Sequence, residues 1–170
     1  MSISLRIRGR AWVFGDDVDT DLIISGKYLT LRDPEAMAKL VFAAVRPDFA
    51  SKVRAGDVIV AGKNFGCGSS REEAPALLKR LGISLAIAGS FARLFFRNSI
   101  NIGLPLLECQ SLAGKVAEGD EMEADLEQGI VWDVTKGEKY DAASLPAFLL
   151  SILKAGGAVE AYKTRLVKRG

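Results

Sequence analysis

Residues 56–82 read GDVIVAGKNFGCGSSREEAPALLKRLG. Asp57 to Ala61 is a short, almost entirely apolar segment, typical of a strand buried on both faces of a sheet. A glycine-rich loop, Gly62 to Ser70, leads into a predicted helix from Arg71 to Leu81, which Gly82 ends. A strand, a loop and a helix in this order predict an α/β fold with a partly parallel sheet.

The segments on either side extend this pattern. Asp33 is a predicted helix N-cap with Pro34 in the first helical position, and the helix is expected to end before Pro47. Glu127-Gln128-Gly129 is predicted to be the turn of a hairpin. The further elements predicted from apolar periodicity are strands at Ser4 to Phe14, Ile83 to Ala88, Leu104 to Leu107, Glu121 to Leu126 and Ile130 to Val134, and helices at Ser90 to Ile102, about Ser144 to Lys154, and Val159 to Val167.

Composition indicates a soluble globular α/β protein. Of the 170 residues, 49% are hydrophobic and 26% are charged, and no repeat or linker divides the chain, so we expect residues 1–170 to form a single domain. The formal net charge of +2 gives no broad basic face for nucleic acid. No apolar run reaches the roughly 20 residues that span a bilayer, and we expect a cytoplasmic protein.

The residue types also exclude several kinds of site. The chain has no histidine, which excludes the familiar catalytic triads. Its two cysteines, Cys67 and Cys109, cannot ligate an iron–sulfur cluster or a structural zinc by themselves, because such sites usually need about four protein ligands. We therefore expect no metal and no cofactor bound by this chain alone.

The glycine-rich loop is the strongest candidate site. It lies at the carboxyl end of a predicted strand, where α/β sheets bind ligands. Gly66 and Gly68 permit positive φ angles, and the following helix N-terminus favours an anion. Arg71 could bind a carboxylate through two parallel hydrogen bonds.

A purely structural interpretation of this loop remains open. Ser69 and Glu72 have the spacing of a capping box, and Ser70 with Glu73 has the same spacing. A nucleotide site is unsupported, because the loop has neither a Walker motif nor GxGxxG.

Three stretches carry a family resemblance: GDDVDTDLII at residues 15–24, the quoted segment through Pro75, and GSFARLFFRNSINIGLPLLE at residues 89–108. Together with Tyr28-Leu29, they resemble the small subunits of 3-isopropylmalate dehydratase, a hydro-lyase of the aconitase superfamily. These subunits correspond to the mobile fourth domain of aconitase. The resemblance implies the aconitase swivelling β/β/α domain, with a mixed sheet flanked by helices.

The resemblance also implies a mechanism. By similarity, Ser69 is the catalytic base, Arg71 binds a substrate carboxylate, Ser70 is a neighbouring substrate contact and Asp21 orients groups of the site. The family supplies a Lewis acid as a [4Fe–4S] cluster in a separate large subunit. The chain would therefore work in a heterodimer or larger assembly and be inactive alone.

Other residues near these motifs favour plainer roles. The acidic residues Asp16, Asp17 and Asp19 are predicted to form a solvated turn with side-chain to backbone hydrogen bonds. Cys67 is interpreted as a small loop residue. For Arg93 and Arg97 a surface or helix-dipole role fits as well as substrate binding, and Arg93 could brace the site.

Residues 27–32 read KYLTLR and resemble the family's substrate-recognition loop. Tyr28, Leu29, Thr30 and Leu31 are predicted substrate contacts, although Tyr28, Leu29 and Leu31 could simply pack beside the next helix. Thr30 and Leu31 favour an apolar substituent such as isopropyl. The alternatives are the small subunit of a homoaconitase, that of a 2-methylmalate or dimethylmalate hydro-lyase, or a non-catalytic module that binds anions or a partner.

Overall fold

The computed structural model describes residues 5–170, and Ser4, the first residue of the predicted N-terminal strand, lies outside them. Its centre is one seven-stranded sheet with the order β4-β3-β2-β1-β5-β6-β7. The strands are β1 Arg6–Val13, β2 Val58–Ala61, β3 Leu85–Ala88, β4 Leu106–Glu108, β5 Glu121–Asp125, β6 Ile130–Asp133 and β7 Glu138–Asp141. Within residues 5–170 no helix is long and apolar enough to cross a membrane.

The sheet is half parallel and half antiparallel, and β1 joins the halves. β1 runs parallel to β2, with Ala11 opposite Val58, and β2, β3 and β4 continue in parallel. On its other edge β1 pairs antiparallel with β5, followed by β6 and β7. The predicted mixed sheet and the β5–β6 hairpin are confirmed.

Both faces of the parallel half are covered, which explains its continuous apolar strands. Every residue of β2 and β3 is buried. Ile59 and Ala61 belong to one hydrophobic core, whereas Val58 and Val60 belong to the core on the opposite face. In the antiparallel half, Met122 and Ala124 of β5 are buried, whereas the alternating residues Glu121, Glu123 and Asp125 carry charge, so one face meets solvent.

Seven α-helices flank the sheet within the described residues. Helices α4 and α5 follow β2 and β3, and α6 packs against α5. None of the residues of α7 is buried. The helices are α1 Thr20–Ile23, α2 Pro34–Ala38, α3 Phe49–Lys52, α4 Glu73–Arg80, α5 Arg93–Asn101, α6 Ala147–Ala155 and α7 Ala158–Arg169, and residues Gly26–Leu31 form a 3-10 helix.

The predicted helix after Asp33 is shorter than expected. Asp33 caps α2 as predicted, accepting a hydrogen bond from the Glu35 amide, but the helix ends at Ala38. Phe42 adopts φ +57°, is fully buried, and donates its amide hydrogen to the Ile23 carbonyl. This tertiary contact ends the helical path before Pro47.

The parallel arrangement sets the position of the candidate site. β1, β2 and β3 end at Val13, Ala61 and Ala88, and because they are parallel these ends share one edge of the sheet. The acidic loop, the glycine-rich loop and the segment entering α5 all leave from that edge.

Candidate functional site

The glycine-rich loop is held between its two neighbouring loops by backbone hydrogen bonds. The Gly66 amide donates to the Val18 carbonyl at 2.7 Å, and the Thr20 amide donates to the Cys67 carbonyl at 2.9 Å. On the other side, Phe65 forms an isolated parallel bridge with Phe91. The three loops therefore form one fixed surface at the sheet edge.

Gly66 and Gly68 adopt the positive φ angles that were predicted, +83° and +87°. At Gly66 space as well as conformation requires glycine. A Cβ there would lie 2.1 Å from Cγ of the Phe95 ring. The loop thus packs its backbone directly on α5.

Ser69 and Ser70 follow this turn and are both exposed. The Thr20 hydroxyl donates a 2.6 Å hydrogen bond to the Ser69 carbonyl, which fixes the backbone at that residue. Neither serine hydroxyl forms a hydrogen bond with residues 5–170. Ser70 lines a pocket described below, and Ser69 precedes it in the loop.

The capping-box interpretation of these serines is wrong. Helix α4 begins at Glu73, its N-cap residue is Glu72, and no side chain caps it. The predicted start at Arg71 is therefore two residues too early. Because the first turn contains Glu73 and Pro75, which lacks an amide hydrogen, α4 is also a poor anion site.

The guanidinium of Arg71 is held in place by the acidic loop. Its Nη1 donates to Oδ1 of Asp21 and to the Ile24 carbonyl, each at 2.8 Å. Asp21 also accepts from the Gly26 amide, and that hydrogen bond, together with Arg71, lowers the pKa of the Asp21 carboxyl. Two predicted site residues are thus in direct contact as an ion pair.

Only one nitrogen of this guanidinium is engaged. Nε and Nη2 of Arg71 form no hydrogen bond with residues 5–170, so one donor edge remains available for a carboxylate. Gly26 lies against this edge, and a Cβ at that position would be 3.0 Å from Nη2. The Arg71 side chain is only 18% exposed, so the surrounding loops cover most of its surface.

Arg71 lines a pocket of about 210 Å³ between the glycine-rich loop and α5. Ser70 and Arg93 also line it, and no carboxylate does. The first residues of α5 line the pocket as well, with Ala92 as N-cap, so the helix terminus favours negative charge there. Asn98 and this terminus are the parts of the site that sequence reasoning missed.

The anion-favouring helix is thus α5 and not α4. The signal was present in the sequence, because Ser90-Phe91-Ala92 follows an apolar strand and opens a helix in the same way as the glycine-rich loop does. A helix-dipole role for Arg93 is wrong, because Arg93 is the first residue of α5, where the dipole disfavours a cation.

The predicted recognition residues lie in the 3-10 helix and divide into two groups. Tyr28 and Leu29 are partly buried against the core, as the packing alternative predicted. Thr30 and Leu31 are exposed. Tyr28 also lines a second pocket of about 230 Å³ together with Asp21, so this segment adjoins the Arg71 contact.

The remaining acidic residues bind the loop itself. Asp16 accepts from the Lys63 amide at 2.7 Å, Asp17 accepts from the Asn64 side chain at 3.1 Å, and Asp19 caps α1 through the Leu22 amide. These contacts agree with the predicted turn held by side chains. They attach the acidic loop to the glycine-rich loop.

The cysteines do not suit metal binding. Burial raises the pKa of the Cys67 thiol, and Asp19 and Asp17 raise it further. Burial likewise raises the pKa of the Cys109 thiol, and Cys109 directly follows β4 and belongs to the hydrophobic core that contains Val58 and Val60. Within residues 5–170, no group of three or more His, Cys, Asp or Glu side chains could hold a metal ion. An iron–sulfur cluster is usually held by about four cysteine thiolates, and this chain has two cysteines, so its thiols alone do not make up a cluster ligand set.

Comparisons with known proteins identify a family model over the central part of the chain and relatives similar over nearly its full length. The family model described as Aconitase C-terminal domain matches residues 22–111. The 3-isopropylmalate dehydratase small subunit 1 of Archaeoglobus fulgidus is 57% identical over 156 residues, which are 92% of this chain and 96% of that protein. The isopropylmalate/citramalate isomerase small subunit of Methanocaldococcus jannaschii is 51% identical over 95% of this chain and 96% of that protein.

A solved structure is also similar over nearly the full length. The crystal structure of a 3-isopropylmalate dehydratase from Methanocaldococcus jannaschii has a TM-score of 0.90 and 43% identity, and the match covers 97% of this chain and 99% of that one. The similarity therefore extends beyond the site to the antiparallel half and the last helices.

Proposed function

The chain belongs to the family of 3-isopropylmalate dehydratase small subunits, and from this premise we propose that it contributes substrate-binding and proton-transfer groups to such a hydro-lyase. The reaction removes water from 2-isopropylmalate to give 2-isopropylmaleate and returns it with the hydroxyl moved, giving 3-isopropylmalate, a step of leucine biosynthesis. The observation that carries this proposal is the oriented Arg71 guanidinium beside an exposed pair of serines.

In this proposal Arg71 binds one carboxylate of the substrate. Asp21 and the Ile24 carbonyl hold Nη1, which fixes the guanidinium before substrate arrives and leaves the Nε and Nη2 edge for a bidentate contact. Ser70 adds a hydroxyl from the same pocket wall. Asp21 is then a positioning residue.

Ser69 is the proposed base. An ordinary serine hydroxyl is far too weak an acid to lose its proton near neutral pH, so its alkoxide needs stabilisation. The adjoining pocket supports this role, because Arg71, Arg93 and the α5 N-terminus line it without any carboxylate. The Thr20 hydrogen bond fixes the Ser69 backbone, which limits the positions of its hydroxyl.

We propose that Tyr28, Leu29, Thr30 and Leu31 form the side of the site that meets the isopropyl group. The exposed Thr30 and Leu31 are available for contact, and Tyr28 and Leu29 support them from the core. Apolar contacts suit an isopropyl or methyl group, whereas the extra carboxylate of homoaconitate would need a cation. A 2-methylmalate substrate is a second candidate, since one relative is named an isopropylmalate/citramalate isomerase.

The family name implies a large-subunit partner, and we propose that this partner holds a [4Fe–4S] cluster, which would supply the Lewis acid for the leaving hydroxyl. The thiols of Cys67 and Cys109 contribute no ligand in this proposal. We further propose that residues 1–170 act as one domain, in the cytoplasm, within a heterodimer or heterotetramer. The single continuous sheet supports the one-domain assignment.

The test is reconstitution with the cognate large subunit, followed by assays on isopropylmalate, homoaconitate and 2-methylmalate side by side. Ser69→Ala should lower kcat by about 10² to 10⁴, and Arg71→Lys should lower kcat/KM by about 10², because the bidentate geometry is lost. Matched controls are Ser51→Ala, on α3, and Arg54→Lys, before β2. Near wild-type turnover by Ser69→Ala would instead favour a non-catalytic module.

Substrate choice has its own variant in this assay. Thr30→Arg introduces a cation beside the proposed position of the isopropyl group and should shift kcat/KM towards homoaconitate. An unchanged substrate profile would count against the assignment of residues 28–31.

A further inference from the structure

A groove runs between α5 and α6, beside the proposed active-site pocket. It consists of two adjacent cavities of about 330 and 400 Å³, and Arg93, Phe96 and Leu149 line both. Arg93 also lines the 210 Å³ pocket that contains Arg71. We call this feature the α5–α6 groove, and it is continuous with the proposed site through the Arg93 side chain.

The walls of the α5–α6 groove combine apolar surface with positive charge that nothing balances. Phe148 of α6 is 62% exposed and lines one of the two cavities, so its ring presents apolar surface to solvent in the groove. Arg93 and Arg97 lie on one face of α5, four residues apart, where like charges repel. Within the described residues neither arginine side chain forms an ion pair or a hydrogen bond. Glu108 is the one carboxylate in the walls, and it pairs with neither.

The position of Arg93 raises the electrostatic cost further. As the first residue of α5 it faces the positive end of the helix dipole. A residue that is locally unfavourable in this way indicates a gain elsewhere. A partner carboxylate beside Arg97 would offset the Arg93–Arg97 repulsion and leave the charge of Arg93 available to the Arg71 pocket.

We propose that the α5–α6 groove is a docking surface for the large subunit, and that it receives a segment with apolar side chains and at least one carboxylate. This inference rests on the proposed function, because it takes the large subunit as the protein that covers the Arg71 pocket. A protein that covers this pocket must also pass over Arg93, whose side chain lines both features.

A second copy of this chain fits the groove poorly. In a two-fold dimer the same patch meets itself, so Arg93 and Arg97 of each copy would face the same arginines of the other. Such a contact adds like charges and brings no carboxylate other than Glu108. Charge therefore favours a different, acidic partner segment.

The test measures binding of the cognate large subunit by biolayer interferometry. Arg97→Glu is the main variant, because Arg97 lines the groove and not the Arg71 pocket. We expect its Kd to rise about tenfold to a hundredfold and to depend less on salt than that of the wild type. Phe148→Ala should weaken binding without altering the salt dependence. Arg54→Glu is the matched control, since Arg54 precedes β2 at the opposite edge of the sheet.

Each result supports or overturns the inference. Lost activity of Arg97→Glu that returns at higher large-subunit concentration supports docking, whereas wild-type Kd values for both groove variants overturn it. Light scattering compares the mass of the isolated small subunit in the wild type and in Arg97→Glu. A difference in oligomeric mass between the two would assign the groove to a second copy of this chain and would also overturn the docking inference. Tight binding of the large subunit without turnover of any tested substrate would contradict the proposed function. The Kd values of the groove variants would still test the docking inference in that case.

Discussion

Asp21 accepts a hydrogen bond from one terminal nitrogen of Arg71, Nη1, and leaves the other, Nη2, available for a ligand. The contact accounts for two residues that sequence reasoning identified separately, one in an acidic loop and one after a glycine-rich loop. The two lie 50 positions apart, and their pairing could not be predicted, because no local pattern relates them. At this scale the sequence indicates the participants, and the fold determines the contacts.

The role of Asp21 predicts a graded response to substitution. Asp21→Asn keeps an oxygen that can accept from Gly26 and Arg71, whereas Asp21→Ala leaves Nη1 only the Ile24 carbonyl. We expect kcat/KM to fall about tenfold for Asn and about a hundredfold for Ala, because the guanidinium loses its fixed orientation. Steady-state kinetics of the reconstituted enzyme measure this, with Asp48→Asn as control. Equal losses for Asn and Ala would indicate that the charge itself matters, and not orientation.

Among the elements, the unit of β2, the glycine-rich loop and α4 was predicted in the right order, and only the start of the helix differs. The apolar segment Asp57 to Ala61 and the glycine-rich loop predicted the order of strand, loop and helix, but α4 begins at Glu73 and not at Arg71. Before α4, the Thr20 hydroxyl binds the Ser69 carbonyl and Asp21 binds the Arg71 side chain, and capping rules do not include such long-range contacts. Helix α3 was missed because one turn is too short for periodicity, and β7 because only Tyr140 in it is buried.

The close packing of the glycine-rich loop on α5 predicts a stability effect. Gly66→Ala would push a Cβ into the Phe95 ring and force a non-glycine residue to φ +83°. Overpacking and left-handed strain together should lower the free energy of unfolding by about 2 to 5 kcal/mol. Urea unfolding followed by circular dichroism measures this. Gly15→Ala, with no atom within 4 Å of the added carbon, should change it little, and equal stability of the two variants would refute the packing argument.

A buried pair of carboxyls lies at the open end of the β5–β6 hairpin, where Asp120 directly precedes β5 and Asp133 is the last residue of β6. Burial raises the pKa of Asp133, and the neighbouring Asp120 raises it further. A hydrogen bond from the Ala117 amide lowers the pKa of Asp120, and Lys136 lies 3.6 Å from it. Tyr140, whose pKa rises to about 12 through its hydrogen bond to Glu138, is also near Asp133. Oδ2 of Asp133 has no hydrogen-bond partner as a carboxylate, and a proton on Asp133 would be shared with the neighbouring Asp120 carboxyl, which would accept the hydrogen bond.

The raised pKa fixes the sign of a pH effect. Above the ordinary aspartate value of about 3.9 and up to its own pKa, folded Asp133 holds a proton that the unfolded chain has lost. The contribution of Asp133 to the free energy of unfolding is therefore fully present below that ordinary value. It is lost as pH rises through the pKa of Asp133 in the folded protein. Asp133→Asn should flatten this part of the pH profile and leave the hairpin at least as stable at pH 8. Urea titrations from pH 4 to 8 test it, with Asp125→Asn as control, and an unchanged slope would exclude the shared proton.

In the whole molecule, the two halves of the sheet differ in what they contribute. The parallel half carries the loops of the candidate site. The antiparallel half and α6 contribute side chains to the hydrophobic core that contains Val58 and Val60. The relatives match both halves, and the family assignment follows from that full-length similarity. Sequence motifs predicted the parallel half well, because glycine and apolar signals are strong there, and the polar edge strand β7 less well.

Whole-molecule behaviour should depend on the partner. Under the proposed function this chain alone should not turn over isopropylmalate, because it supplies the serine and the arginine but not the Lewis acid. Titration of a fixed amount of large subunit should give activity that saturates near one small subunit per large subunit. Turnover by the small subunit alone, after metal-free purification, would contradict this division.

The central position of β1 has a consequence for synthesis on the ribosome. β1 is made before every other described strand, yet its two edges are completed at very different times. One edge pairs with β2 once about residue 61 has emerged, and the other waits for β5, which ends at Asp125. During that interval a nascent chain presents an open strand edge, the kind of surface that recruits chaperones or pairs with a neighbouring chain. Translation speed between these two points should therefore affect the soluble yield of this protein.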